Sequence, residues 1–295
     1  MLHFPLLPLV ITALPVAHQL LLFHERSKLR PPGQLIPVNG HLLHVYRAGP
    51  NRAPTLVFLS GGGTPAPLYD FRPLLRLLTK DFSVAVLEKP GYGYAPPAHV
   101  PRDVDTLITE SRHALRKAGC MPPYVLLPHS YSGLEALAWA VRYPEEVKAI
   151  VGLDMAIPSV YDHLRFSSLS LALCTTVHWI GLQRLLPQPY LPSLTPAERS
   201  QTRKLWARNL YAAPVRLELQ EARTSAQRVA ALGSPQCPML LFLSDGKQIG
   251  SFWLPEQRRF ARQTGAKTVF LPCGHYVHRH FPSQIAATLR TFLSE

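Results

Sequence analysis

The chain has 295 residues, 47% of them hydrophobic, with 18 acidic residues and a formal net charge of +13; it can bury one large core, and a single large domain with an N-terminal extension is expected. A basic balance favours anionic surfaces, but no block interleaves Lys or Arg with aromatics and no recognition-helix pattern occurs, which argues against a nucleic-acid partner. Cys120, Cys174, Cys237 and Cys273 are widely spaced without a Cys-x-x-Cys pair, which excludes a zinc framework or a disulfide scaffold.

Residues Met1 to Phe23 contain no Asp, Glu, Lys or Arg. A membrane span needs about 20 apolar residues, and Pro5, Pro8 and Pro15 are of a kind tolerated in membrane helices. The charged stretch His24-Glu25-Arg26-Ser27-Lys28-Leu29-Arg30 follows, and Pro31-Pro32-Gly33 breaks the chain. The expectation is a membrane-anchoring segment over residues 1–30, with one N-terminal span whose basic flank places the next domain in the cytoplasm. A cleaved signal peptide with secretion is the alternative, although no Lys or Arg precedes the apolar run. A soluble hydrophobic helix is the third reading.

Residues 31–295 then read as one domain. Leu35 to Val38 and His41 to Tyr46 flank Asn39-Gly40, the pattern of a β-hairpin. Short apolar runs follow at Leu56 to Leu59, Val84 to Leu87, Val125 to Leu127, Ala149 to Leu153, Leu240 to Leu243 and Val269 to Leu271. Runs of this kind suit buried parallel strands. Helical stretches such as Asp105 to Ala118 and Leu134 to Arg142 separate several of them, so the fold class is α/β, a mostly parallel sheet with helices on both faces. Between Asp154 and Pro238 no strand-like run occurs. Leu169 to Leu186 is apolar, and Thr195-Pro196-Ala197-Glu198 is a capping box with proline at the first helical position. Residues 157–236 therefore read as a helical lid inserted after the sixth strand, over the sheet edge where ligands bind in open α/β folds.

Two residues stand out for chemistry. Ser130, in His129-Ser130-Tyr131-Ser132-Gly133, lies between the strand Tyr124 to Leu127 and a helix with an apolar face. A tight strand-to-helix turn lifts a serine hydroxyl above the sheet. Its strained backbone needs small neighbours two residues away, here Pro128 and Ser132; Pro128 demands an extended approach. The competing register makes Ser132 the nucleophile, but would put Leu134 where a small side chain is needed. A serine hydroxyl needs a base. After the last strand the chain reads Pro272-Cys273-Gly274-His275, and the preceding glycine favours His275 over His278 and His280.

These stretches resemble the α/β-hydrolase fold family from about Gly33 to the C-terminus. The resemblance is carried by Phe58-Leu59-Ser60-Gly61-Gly62-Gly63, Glu88-Lys89-Pro90-Gly91-Tyr92-Gly93, the Ser130 turn, Tyr143-Pro144-Glu145-Glu146-Val147 and Gly274-His275. It implies an oxyanion hole from the backbone N–H groups of Gly62 and Tyr131. Ser60 stands where members usually carry a histidine of structural role. It also implies a triad acid that fixes the histidine tautomer. The usual place, after the seventh strand, holds Ser244 and Lys247 at the corresponding positions, with Asp245 nearby. The family's second place, after the sixth strand, holds Asp154, similar to the haloalkane dehalogenases. Asp154 is the expected acid and Asp245 the alternative.

The function that follows is ester or related acyl hydrolysis through an acyl-Ser130 intermediate, on a small-molecule or lipid-like acyl substrate, with no metal or organic cofactor. Dehalogenases and epoxide hydrolases of this fold use an Asp nucleophile, so Ser130 argues against those chemistries. Acyl transfer or peptide cleavage would use the same triad, although Ser60-Gly61-Gly62-Gly63-Thr64 does not match the His-Gly-Gly-Pro loop of proline-releasing peptidases. A non-catalytic ligand-binding protein on the same fold is the alternative class.

Overall fold

The computed structural model describes residues 6–165, 167–189 and 191–295. The strands are β1 (Gln34–Val38), β2 (His41–Ala48), β3 (Thr55–Leu59), β4 (Ser83–Glu88), β5 (Tyr124–Pro128), β6 (Val147–Leu153), β7 (Met239–Leu243) and β8 (Lys267–Phe270). They form one sheet in the order β1-β2-β4-β3-β5-β6-β7-β8. Only the β1–β2 and β2–β4 pairings are antiparallel; the others are parallel. This is the α/β-hydrolase fold.

The helices are α1 (Leu6–Arg26), α2 (Pro67–Asp70), α3 (Arg72–Leu78), α4 (Val104–Lys117), α5 (Ser132–Arg142), α6 (Ser168–Ile180), α7 (Pro196–Asn209), α8 (Ala213–Ala231), α9 (Trp253–Thr264), α10 (Val277–His280) and α11 (Pro282–Ser294). The central strands read as unbroken apolar runs because both of their faces are covered. Val57, Leu59, Ala85, Leu87 and Leu126 point into the layer of α4 and α5, beside Leu107, Leu134 and Leu137. Leu56, Phe58, Val84, Val86, Val125 and Leu127 point the other way, onto Leu74 and Leu78 of α3 and Ile285 and Leu289 of α11. Each such side chain contributes about 1.5–3 kcal/mol by leaving water. The run Val269 to Leu271 departs from this expectation: β8 is the sheet's last strand, so Phe270 is 46% exposed.

Among the described residues no strand lies between β6 and β7. A 3-10 turn at Pro158–Asp162, α6, a second 3-10 turn at Leu182–Leu185, α7 and α8 lie there. The capping box forms: Glu198 N donates to Thr195 Oγ1 at 3.2 Å and Thr195 N donates to Glu198 Oε2 at 2.9 Å. The same carboxylate accepts from Arg72 Nε at 2.6 Å, tying α7 to α3.

The N-terminal anchor is the expectation the structure does not support. Residues 1–5 of the expected span lie outside the described residues, and no described helix is long and apolar enough to cross a membrane. Pro15, His18 and Gln19 dilute the apolar character of α1, and its C-terminal half is fastened to the helical segment between β6 and β7. Arg184 Nε donates to His18 Nδ1 at 3.0 Å, and its two terminal nitrogens bond both Glu25 oxygens at 3.0 and 2.8 Å. Burial first, then the Arg184 cation, pushes His18 down to about 4. The neutral ring can thus accept that bond.

Candidate active site

The site lies where β3, β5, β6 and β7 end. Ser130 follows β5 and precedes α5, with φ +52°, a left-handed conformation that costs a non-glycine residue energy and is held only by its surroundings. Those surroundings are tight. Ala156 N donates to Ser130 O at 2.7 Å, and a Cβ on Gly133 would sit 2.0 Å from Ala156 O. At Gly61 an added Cβ would meet Ser130 Cβ at 2.9 Å. Glycine at 61 and 133 therefore lets a loop and a helix approach the serine.

Ser132, the competing serine, is fully buried, and its Oγ lies 2.8 Å from Leu59 O and 2.9 Å from His129 O. It also accepts from His129 N at 3.1 Å. Its hydroxyl is a brace between the turn and β3, not a group facing the cavity.

Asp154 directly follows β6, with φ +50° and no exposure. Its Oδ2 is 2.6 Å from His275 Nδ1. Its Oδ1 accepts from Ser244 N at 2.9 Å and from Gln257 Nε2 at 3.1 Å. His275 N donates to Gln248 Oε1 at 2.9 Å, fixing the loop that carries the ring. His275 Nε2 has no hydrogen-bond partner among the described residues, Ser130 Oγ included. Asp245 sits elsewhere: it accepts from Lys247 N at 3.0 Å and makes no hydrogen bond to His275.

The other two histidines of that loop are accounted for separately. His278 Nε2 is 3.0 Å from Asp70 Oδ2, and Arg279 bonds the other Asp70 oxygen. Burial lowers His278, outweighing Asp70. His280 is exposed and lies outside the cavity lining. His129 packs its ring 4.7 Å from that of His275, and its Nε2 lies 3.3 Å from His275 O. Burial, then His275 and His278, holds His129 well below the ordinary histidine range.

Ser130 and His275 share the wall of one cavity of about 240 Å³ with Gly62, Tyr131, Leu219 and Trp253. The N–H groups of Gly62 and Tyr131 find no acceptor among the described residues. The model of the alpha/beta hydrolase family matches residues 56–288.

The chain belongs to the α/β-hydrolase family.

A Bacillus subtilis relative, the uncharacterized protein YbdG, is 30% identical to this α/β-hydrolase over 294 residues, covering 94% of this chain and 90% of its own. Mouse Epoxide hydrolase 4 is 30% identical over 153 residues, 47% of this chain and 42% of that protein. Among solved structures, Cfl2 from Burkholderia cenocepacia superimposes with a TM-score of 0.70 at 22% identity, covering 88% of this chain and 95% of that one. Members of the family are generally hydrolases, so a small-molecule substrate is the coarse expectation.

Sequence reasoning missed Gln257 and Ser244, which hold the second oxygen of Asp154 in this α/β-hydrolase. Gln257 lies on α9, an amphipathic helix in which one inward glutamine carries no signal of its own. Ser244 occupies the place where the family's usual acid stands, and its backbone N–H, not its side chain, meets the carboxylate.

Proposed function

We propose that this protein is a serine acyl hydrolase with Ser130 as nucleophile, His275 as base and Asp154 as orienting acid. The observation that carries the reading is the 2.6 Å contact between Asp154 and His275 Nδ1 in the cavity that Ser130 enters from a strained turn. Asp154 fixes the proton on Nδ1 and leaves Nε2 as the basic atom. Ser130 Oγ bonds to the substrate carbonyl carbon as His275 Nε2 takes its proton, and the carbonyl electron pair moves to oxygen. The N–H groups of Gly62 and Tyr131 receive that oxyanion. Collapse breaks the bond to the leaving group, which takes the proton from His275. Water then attacks the acyl-Ser130 ester by the same route and frees the acid.

An aspartate nucleophile is what epoxide-opening and dehalogenating members of this fold use, and serine stands in that place here. The cavity walls from Tyr161, Leu164, Leu219, Ile249 and Trp253 favour an apolar acyl group. An added methylene in such a pocket is worth roughly tenfold or more. With p-nitrophenyl esters, kcat/KM for butanoyl and hexanoyl substrates is therefore expected to exceed that for acetyl by at least about tenfold. A clear preference for acetyl would refute the hydrophobic-acyl assignment.

A lipid surface as partner rests on a separate observation. α1 exposes Leu14, Val16, Leu20, Leu21 and Phe23, and α6, packed against it, exposes Leu169, Leu173 and Trp179. Arg26, Lys28 and Arg30 follow, with no carboxylate paired to any of them among the described residues. An apolar face rimmed by cations suits the interface of an anionic bilayer, with the helix lying on it rather than crossing it. Binding to phosphatidylglycerol-containing vesicles is expected, weakened by salt and by Leu20→Glu/Phe23→Glu. Equal binding of that variant, or none by the wild type, rules the surface out.

A further inference from the structure

Four charges are buried together behind the loop that carries Gly62. Lys89, just after β4, and Arg102 face Glu135 of α5 and Glu218 of α8, and none is more than 3% exposed. Lys89 Nζ is 2.5 Å from Glu135 Oε1 and 3.2 Å from Glu218 Oε1, and Arg102 donates to Glu218 Oε2 at 2.6 Å. The formal charges cancel. Burying such a cluster costs solvation, and apolar side chains of similar volume would often stabilise as well. Stability alone is therefore a weak reason for it.

Its contacts suggest another reason. Gly63 N donates to Tyr92 Oη at 2.9 Å, and Tyr92 Oη donates to Glu218 Oε1 at 2.8 Å. Burial, then Glu218, pushes the Tyr92 phenol well above its usual range, so the hydroxyl keeps the proton it donates. Gly63 is the neighbour of Gly62, one of the two oxyanion donors assigned above. The residue that supplies the other, Tyr131, places its ring centroid 5.4 Å from Lys89 Nζ. The same helix that carries Glu218 also flanks the loop: a Cβ on Gly62 would meet Leu219 Cδ2 at 3.7 Å, and one on Gly63 would meet Val215 Cγ1 at 3.5 Å. Both donors thus lean on one buried ion cluster, and the lid helix α8 supplies its central carboxylate.

We propose that Tyr92 and Glu218 are positioning residues for the oxyanion hole, linking the lid helix α8 to the Gly62 N–H through the Gly63–Tyr92–Glu218 hydrogen-bond chain. This rests on the reading of Ser130 as nucleophile. Losing an oxyanion donor outright costs roughly 10²–10³ in kcat, so loosening one is expected to cost roughly 10- to 100-fold.

The test is Tyr92→Phe in the full chain, which removes one hydroxyl and keeps the ring. Its kcat should fall by roughly 10- to 100-fold while KM stays within about threefold, the pattern of an interaction made in the transition state. Affinity for a trifluoromethyl ketone inhibitor, whose adduct carries the oxyanion, should fall in step. Glu218→Gln should act in the same direction, and the double variant should cost less than the sum of the two. A purely structural role would lower the melting temperature and leave kcat of the folded enzyme and inhibitor affinity unchanged; that result overturns the proposal. Should Tyr92→Phe not fold, hydrogen exchange at the wild-type Gly63 amide decides, since the proposal requires strong protection and an amide exchanging as if free refutes it. Wild-type protein inert to a fluorophosphonate would instead sink the Ser130 reading itself, whereas a reactive wild type with an equally active Tyr92→Phe sinks only this inference.

Discussion

Replacing Ser130 with alanine is expected to lower ester turnover by roughly 10⁵-fold, because nucleophile, base and acid act as a unit and what survives is the contribution of binding and the oxyanion donors. The fold should survive, since alanine is smaller and Ser130 Oγ makes no hydrogen bond to His275 that its loss would leave open. Ser132→Ala gives the contrast. It removes the bond to His129 N and the contacts with Leu59 O and His129 O, so it should cost about 1–3 kcal/mol of stability and far less activity. Steady-state kcat with a hydrophobic acyl ester, alongside melting temperatures, separates the two serines. Turnover retained by Ser130→Ala, or lost only in folded Ser132→Ala, would reverse their roles.

Asp154→Asn is expected to lower kcat by roughly 10⁴-fold. The reason lies in the two oxygens. Oδ1 faces two donors, Ser244 N and Gln257 Nε2, while Oδ2 faces His275 Nδ1. An asparagine must keep its oxygen toward the two donors and turn its NH₂ toward Nδ1. The ring then carries its proton on Nε2, where it cannot act as a base. Asp245→Ala should stay within about threefold of wild type, since its carboxylate is engaged with Lys247 and not with His275. A large loss in Asp245→Ala with little change in Asp154→Asn would move the acid to the other strand.

How much of this was legible in the sequence depended on whether a signal is local. The central strands were, since a strand buried on both faces must be apolar throughout. So was the start of α7, where Thr195 and Glu198 satisfy one another's backbone within four residues. The place of Ser130 on the turn after β5 was legible because the turn's sterics restrict its neighbours. Asp154 was preferred to Asp245 through a resemblance alone; its contact with His275 depends on how β6 and β7 sit against the His275 loop, which no local pattern fixes. The buried Lys89, Arg102, Glu135 and Glu218 were invisible for the same reason: in sequence a charge that will be paired inside looks like one on the surface. The N-terminus misled in the opposite direction. An uncharged apolar stretch satisfies a length criterion, but the His18 and Glu25 contacts with Arg184 that fasten α1 to the segment between β6 and β7 arise between residues more than 150 positions apart.

The most direct test of the central claim is covalent. A fluorophosphonate reacts with a serine only where a base activates the hydroxyl and an oxyanion hole accepts the phosphoryl oxygen. Incubated with the wild-type chain and read by intact mass and peptide mapping, it should give a single adduct on the peptide containing Ser130, abolished in Ser130→Ala and strongly slowed in His275→Ala. An unmodified wild-type protein, or equal labelling of Ser130→Ala, would contradict the assignment.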